Sequence, residues 1–108
     1  MTIPTRLRQR EVLDAQLAVC RRLDSNVGRG AVAALRWLTD GGPGPLTGGW
    51  AAHVGFTDIV AELAAAEALI YGPPSAGREY ARGVEHALLW AEGATAAPPA
   101  PTPGGARD

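Results

Sequence analysis

Apolar side chains recur at helical spacing along the first third of the chain, in two runs whose phases agree. At about 100° of turn per residue, Val12, Leu13, Leu17, Val19, Cys20 and Leu23 fall on one side of a first helix read from about Thr5 to Leu23. Arg10, Glu11, Asp14, Arg21 and Arg22 fall on the other. Pro4 stands where a helix start tolerates proline, and Leu7 lies off the stripe, which predicts a frayed first turn. Asp24-Ser25-Asn26 then offers N-cap chemistry, and Gly28 and Gly30 lower helix propensity, so a break is expected here. Val27, Ala31, Ala34, Leu35 and Leu38 nevertheless continue the stripe without a shift. One long bent helix from about residue 6 to 39 is therefore the alternative.

The pattern lapses between Asp40 and Phe56. Gly41-Gly42-Pro43-Gly44-Pro45 and Gly48-Gly49 are turn chemistry, while Leu46, Trp50, Val54 and Phe56 predict that the segment lies back over the core. One helical turn is expected at Ala51–Val54. A further helix capped by Thr57 or Asp58 runs to Tyr71, where Gly72-Pro73-Pro74 stops it. Its core stripe reads Ile59, Val60, Leu63, Ala66 and Ile70, with Ala61, Ala64, Ala65 and Ala68 opposite. A helix apolar nearly all round is expected to be buried on two sides, as the central helix of the monomer or of a dimer. Ser75 is read as the cap of a last helix to about Glu92, with Tyr80, Val84, Ala87, Leu88 and Ala91 inward.

These elements predict an all-α chain, a small antiparallel helical bundle of three to four helices. The helices form two αα-hairpins, or one long bent helix plus two. Residues 1–93 make a single helical domain, and the Ala/Pro/Gly-rich residues 94–108 are expected to be a disordered tail.

One repeat crosses this scheme. Arg29-Gly30 to Trp37 and Arg82-Gly83 to Trp90 share the pattern R-G-x-x-x-A-L-x-W. Gly30 and Gly83 each precede the tryptophan by two helical turns and so lie on its face. A glycine inside a helix costs about 1 kcal/mol relative to alanine. The same cost at the same relative position predicts a close backbone approach at both. Trp37 and Trp90 are read as packing residues at the core's edge, their ring nitrogens reaching a partner or water.

Composition adds a charge asymmetry. The net charge is −1 and all ten basic residues are Arg; the part up to Leu38 carries an excess of +4 and the remainder −5. That balance gives the whole chain no pull toward nucleic acid or membrane, but it opposes two halves of opposite sign. Cys20 is the lone cysteine, so an internal disulfide is excluded, and its place on the apolar stripe makes it a core residue. Glu11, Asp14 and Gln16 interrupt the stretch that a signal peptide would need apolar. A cytoplasmic protein that does not span a membrane is expected.

Candidate chemistry is sparse. His53, His86 and Cys20 lack ligand spacing for a metal, and no cofactor motif is present. The Gly-Pro run lacks the Gly-Lys-Ser/Thr ending of a phosphate loop, and its prolines remove N–H donors. Glu67, beside the core stripe, is expected to pair with an arginine from a neighbouring helix. On a continuous helix Arg21, Arg22, Arg29 and Arg36 share one polar face, a stripe able to grip phosphates. The expected function is therefore a non-enzymatic interaction module that self-associates into a homo-oligomer or binds a protein partner, with Trp50 in its Gly-Pro loop on the surface. The alternative is a nucleic-acid-binding accessory or regulatory protein that uses the arginine stripe.

Overall fold

The structure, a computed structural model, describes residues 7–99. Four helices make up its body: α1 (Arg10–Cys20), α2 (Asn26–Asp40), α3 (Phe56–Tyr71) and α4 (Arg78–Ala91). The expected helical bundle is present, and the chain between α1 and α2 breaks rather than bends. Ser25 explains the break, since its side chain accepts a hydrogen bond from the Gly28 N–H at 3.0 Å and caps α2. The first helix is shorter than its apolar stripe implied. Leu7 precedes α1 and packs half-buried on the core, and Pro4 lies outside the described residues. Val12 and Leu23 face outward, while Gln16 joins Leu13, Leu17 and Cys20 in the buried row.

Beyond α2 the chain reverses at Gly41, whose φ of +76° favours glycine; a Cβ there would also stand 2.7 Å from the Ala51 carbonyl oxygen. Two short strands follow, β1 (Gly42–Pro43) and β2 (Trp50–Ala51), paired antiparallel with Gly42 opposite Ala51 and Pro43 opposite Trp50. This hairpin replaces the helical turn expected at Ala51–Val54. Ala51 alternates inward and Trp50 outward, as a two-residue strand period requires. Leu46 and Val54 do lie against the core, whereas Trp50 and Phe56 do not.

Helix α3 starts one turn earlier than its expected caps. Gly55 is the N-cap, and Asp58 reaches back to accept the Gly55 N–H at 2.9 Å. Ser75 likewise does not cap α4 directly; its carbonyl accepts the Arg78 N–H at 3.3 Å in a turn leading into the helix. The inward stripe of α4 holds as read from the sequence, with Val84, Ala87, Leu88 and Ala91 buried and Tyr80 half-buried.

The centre of the bundle is the α2–α4 pair, with α1 packed on α2 and α3 on α4. This corrects the first of the two positions expected for α3, at the centre of the monomer. What selects α2 and α4 is the glycine pair. A Cβ on Gly30 would fall on the Tyr80 carbonyl, 2.9 Å from its carbon and 3.0 Å from the Val84 nitrogen. A Cβ on Gly83 would fall on the Val27 carbonyl, 2.8 Å from its carbon and 2.8 Å from the Ala31 nitrogen. Each glycine thus touches the carbonyl three residues before the other, a local twofold relation between the repeated segments. Backbone approach this close leaves room only for small neighbours, and Ala31, Ala34, Ala81 and Ala87 are all fully buried around it. Trp37 and Trp90, one at the far end of each repeat, are buried as well.

Candidate binding surfaces

Three features outside the apolar core combine side chains in ways that need explanation. The first is a buried carboxylate. Glu62 on α3 is 1% exposed, and the Gly-Pro loop folds onto it. Its Oε1 accepts the Leu46 N–H at 2.8 Å and the Thr47 N–H at 3.2 Å, and the Thr47 hydroxyl donates to Oε2. A Cβ at Gly44 would meet the carboxylate carbon at 2.7 Å, so a side chain there would push the carboxylate off its loop partners. Nearby, the Tyr80 hydroxyl donates to the Pro45 carbonyl at 3.4 Å, and its pKa is pushed up by burial and then by the charge of Glu62. The carboxylate's hydrogen bonds go to Leu46 and Thr47, so Glu62 clasps the loop onto α3. Sequence reasoning had singled out Glu67 instead; that residue is exposed and has no ion pair among the described residues.

The second feature is the set of arginines. Arg29, Val32, Ala33 and Arg36 fall at the i, i+3, i+4 and i+7 positions of α2 and so line one face. Arg21 and Arg22 approach the same face from the turn that follows α1, where the chain doubles back. All four line one cleft of about 440 Å³. The stripe expected on a continuous helix thus exists as a cleft between two helices. Trp50 is not part of it and stands apart on the β-hairpin.

The third feature is the outer face of α3. Its inward row is Ile59, Glu62, Ala66 and Ile70, and everything apolar on the other side is uncovered. Phe56 is 60% exposed, Val60 45% and Tyr71 78%, with Ala61, Ala64 and Ala68 exposed between them. The core stripe expected from the sequence had included Val60; the structure turns it outward.

The remaining polar side chains have structural partners. Arg8 donates from Nε to the Trp90 carbonyl at 2.6 Å and stacks its guanidinium 4.7 Å from the Trp90 ring centre. His86 Nε2 lies 2.9 Å from the Ala97 carbonyl oxygen, and His53 is exposed. The indole nitrogen of Trp37 and the Nε of Arg78 are buried without a protein partner among the described residues. Burial pushes the pKa of the Cys20 thiol up to about 11, and its Sγ donates to Gln16 Oε1 at 3.5 Å. Among the described residues no three His, Cys, Asp or Glu side chains form a group that could hold a metal, and no helix is long and apolar enough to cross a membrane. In comparisons with known proteins, no family model, no curated protein and no solved structure matches this chain.

Proposed function

We propose that this chain is a small helical interaction module that associates with a second copy of itself through α3, acting by binding rather than by catalysis. The observation that carries this reading is the uncovered face of α3, where Phe56, Val60, Ala64 and Tyr71 lie exposed with Glu67 as the one charge among them. A contiguous apolar helix face is a typical docking surface. The near-absence of charge favours a partner with the same character, and a twofold axis supplies one by setting the face against itself.

The residue order on α3 suits an antiparallel pairing centred on Ala64. Val60 of one copy then stands level with Ala68 of the other, large against small. Phe56 comes within one residue of level with Tyr71, aromatic near aromatic. Small residues at the centre let the two helices approach closely. The nucleic-acid alternative draws its support from the arginines alone, and these ring a cleft instead of forming a track along the molecule.

Oxidative cross-linking tests the pairing directly. Ala64→Cys places a thiol at the proposed axis, where it meets its own copy within disulfide reach. Cys20 is buried and does not compete. The variant is expected to form a covalent dimer rapidly under mild oxidation, and Ser75→Cys, exposed outside the face, to do so only at the rate of random encounter. Equal rates for the two variants would contradict the proposal.

A further inference from the structure

We infer that the cleft between α2 and the turn after α1 is a binding site for a small organic phosphate, an ester whose anionic head meets the arginines and whose apolar body lies on the cleft floor. Three independent observations converge on this site.

The first is which arginines lack partners. Arg8 is engaged with Trp90, Arg10 with Asp14 and Asp40, Arg78 with the Gly72 carbonyl and Arg82 with Glu79. Arg29 pairs with Asp24 at 3.2 Å and donates to Asn26 at 2.9 Å. The side chains of Arg21, Arg22 and Arg36 have no hydrogen bond or ion pair among the described residues, and all three residues line the cleft. The guanidinium groups with neither a hydrogen bond nor an ion pair among the described residues are therefore three that line this cleft, whereas Arg8 and Arg78 have carbonyl acceptors elsewhere. Four arginines and a single acid, Asp24, line the cleft, and Asp24 pairs with Arg29 alone. Like charges brought together without counter-charges repel, and an anion between them relieves the repulsion.

The second is the floor. Val32 and Ala33 lie between Arg29 and Arg36, with Leu23 at the side and Cys20 behind. Two helical turns, about 10 Å, separate the α-carbons of Arg29 and Arg36. That spacing leaves an apolar strip between the cationic ends. A bare inorganic anion would leave this strip uncovered, whereas an ester covers it.

The third is size. A cleft of about 440 Å³ falls within the ~300–1,000 Å³ range of small-molecule sites. Arginine suits the head group because its planar fork pairs two donors with two phosphate oxygens. Extended nucleic acid fits less well, since the chain carries a net charge of −1.

The test uses the full chain, 1-naphthyl phosphate as probe, and amide chemical shifts as the readout at low ionic strength. Saturable shifts confined to Cys20–Arg36 are expected, with inorganic phosphate and 1-naphthol each binding at least about tenfold more weakly. Arg21→Gln and Arg36→Gln are each expected to weaken the probe by about tenfold, in keeping with the loss of one charge-assisted hydrogen bond. Arg82→Gln, which removes an arginine already paired to Glu79, is the control and leaves binding unchanged. Absence of saturable shifts in this segment, or shifts insensitive to Arg21→Gln and Arg36→Gln, would overturn the assignment. A single-stranded oligonucleotide of about 20 nucleotides that outcompetes the probe, with affinity rising with its length, would overturn it in favour of a nucleic-acid surface. These readouts are independent of oligomeric state, so failure here is distinct from failure of the α3 pairing.

Discussion

Glu62 and Gly44 behave as one unit: the carboxylate occupies the space that a side chain at Gly44 would need, and in return satisfies the N–H groups of Leu46 and Thr47. Loss of the acceptor that these part-buried donors share is costly, so Glu62→Ala is expected to destabilise the protein by about 1–2 kcal/mol. Amide exchange should show where the loss falls, with protection at Leu46 and Thr47 lost well before protection in α2 and α4. A global loss of protection with the loop amides unaffected would contradict the clasp. Cys20 makes a second prediction at this scale. Its ordinary pKa is 9.0, and burial pushes it to about 11 in the folded state. Below pH 9 both folded and unfolded chains keep the thiol proton, so Cys20 contributes no pH dependence there. Between those values the unfolded chain releases the proton and the folded one retains it, and stability falls as pH rises. Tyr80, also raised by burial, adds a loss of the same sign above pH 10. Denaturation midpoints measured at pH 8.5 and 10.5 should therefore decline, and Cys20→Ala should reduce the decline.

At the scale of elements, the α2–α4 crossing is where the local and the tertiary preference disagree most. Replacing Gly30 or Gly83 by alanine improves helix propensity by about 1 kcal/mol, yet each new Cβ would land on a carbonyl of the facing helix. Backbone cannot move aside as a side-chain tip can. Each substitution is expected to destabilise by about 2 kcal/mol or more in chemical denaturation, and the double variant by less than the sum, because one separation of the helices relieves both clashes. A stabilised Gly83→Ala variant would contradict the contact. This crossing was legible in the sequence because a penalised residue recurs at the same place in two otherwise similar segments. The break before α2 was legible for a similar reason, in the caps at Asp24-Ser25-Asn26. The orientation of α3 was not. A helix apolar on most sides carries no signal of which side faces in, and its true inward row includes Glu62, a residue whose burial depends on a loop that folds back from sixteen residues earlier. The strand pair was hidden as well, since Gly42–Pro43 and Trp50–Ala51 are too short to show an alternating pattern.

The whole molecule joins two hairpin-like halves through α2 and α4, with α1 packed on α2 and α3 on α4. That arrangement keeps the two proposed surfaces apart: the arginine cleft belongs to the α1–α2 half and the apolar face to α3. The four arginines were identifiable from the sequence, although by a phase argument that assumed one continuous helix. Arg21 and Arg22 reach the cleft because the turn at residues 21–25 folds α1 back onto α2, a tertiary event that no periodicity encodes. Trp50 is exposed rather than laid over the core, and nothing brings it to the arginines. The self-association of α3 is the claim on which the functional reading rests, and sedimentation equilibrium over a wide concentration range tests it most directly. The wild-type chain is predicted to follow a reversible monomer–dimer equilibrium, and Ala64→Arg, which sets two like charges together at the proposed axis, to weaken it by at least about tenfold. A wild-type chain that remains monomeric up to about millimolar concentration, or an Ala64→Arg variant that dimerises as tightly as wild type, would contradict it.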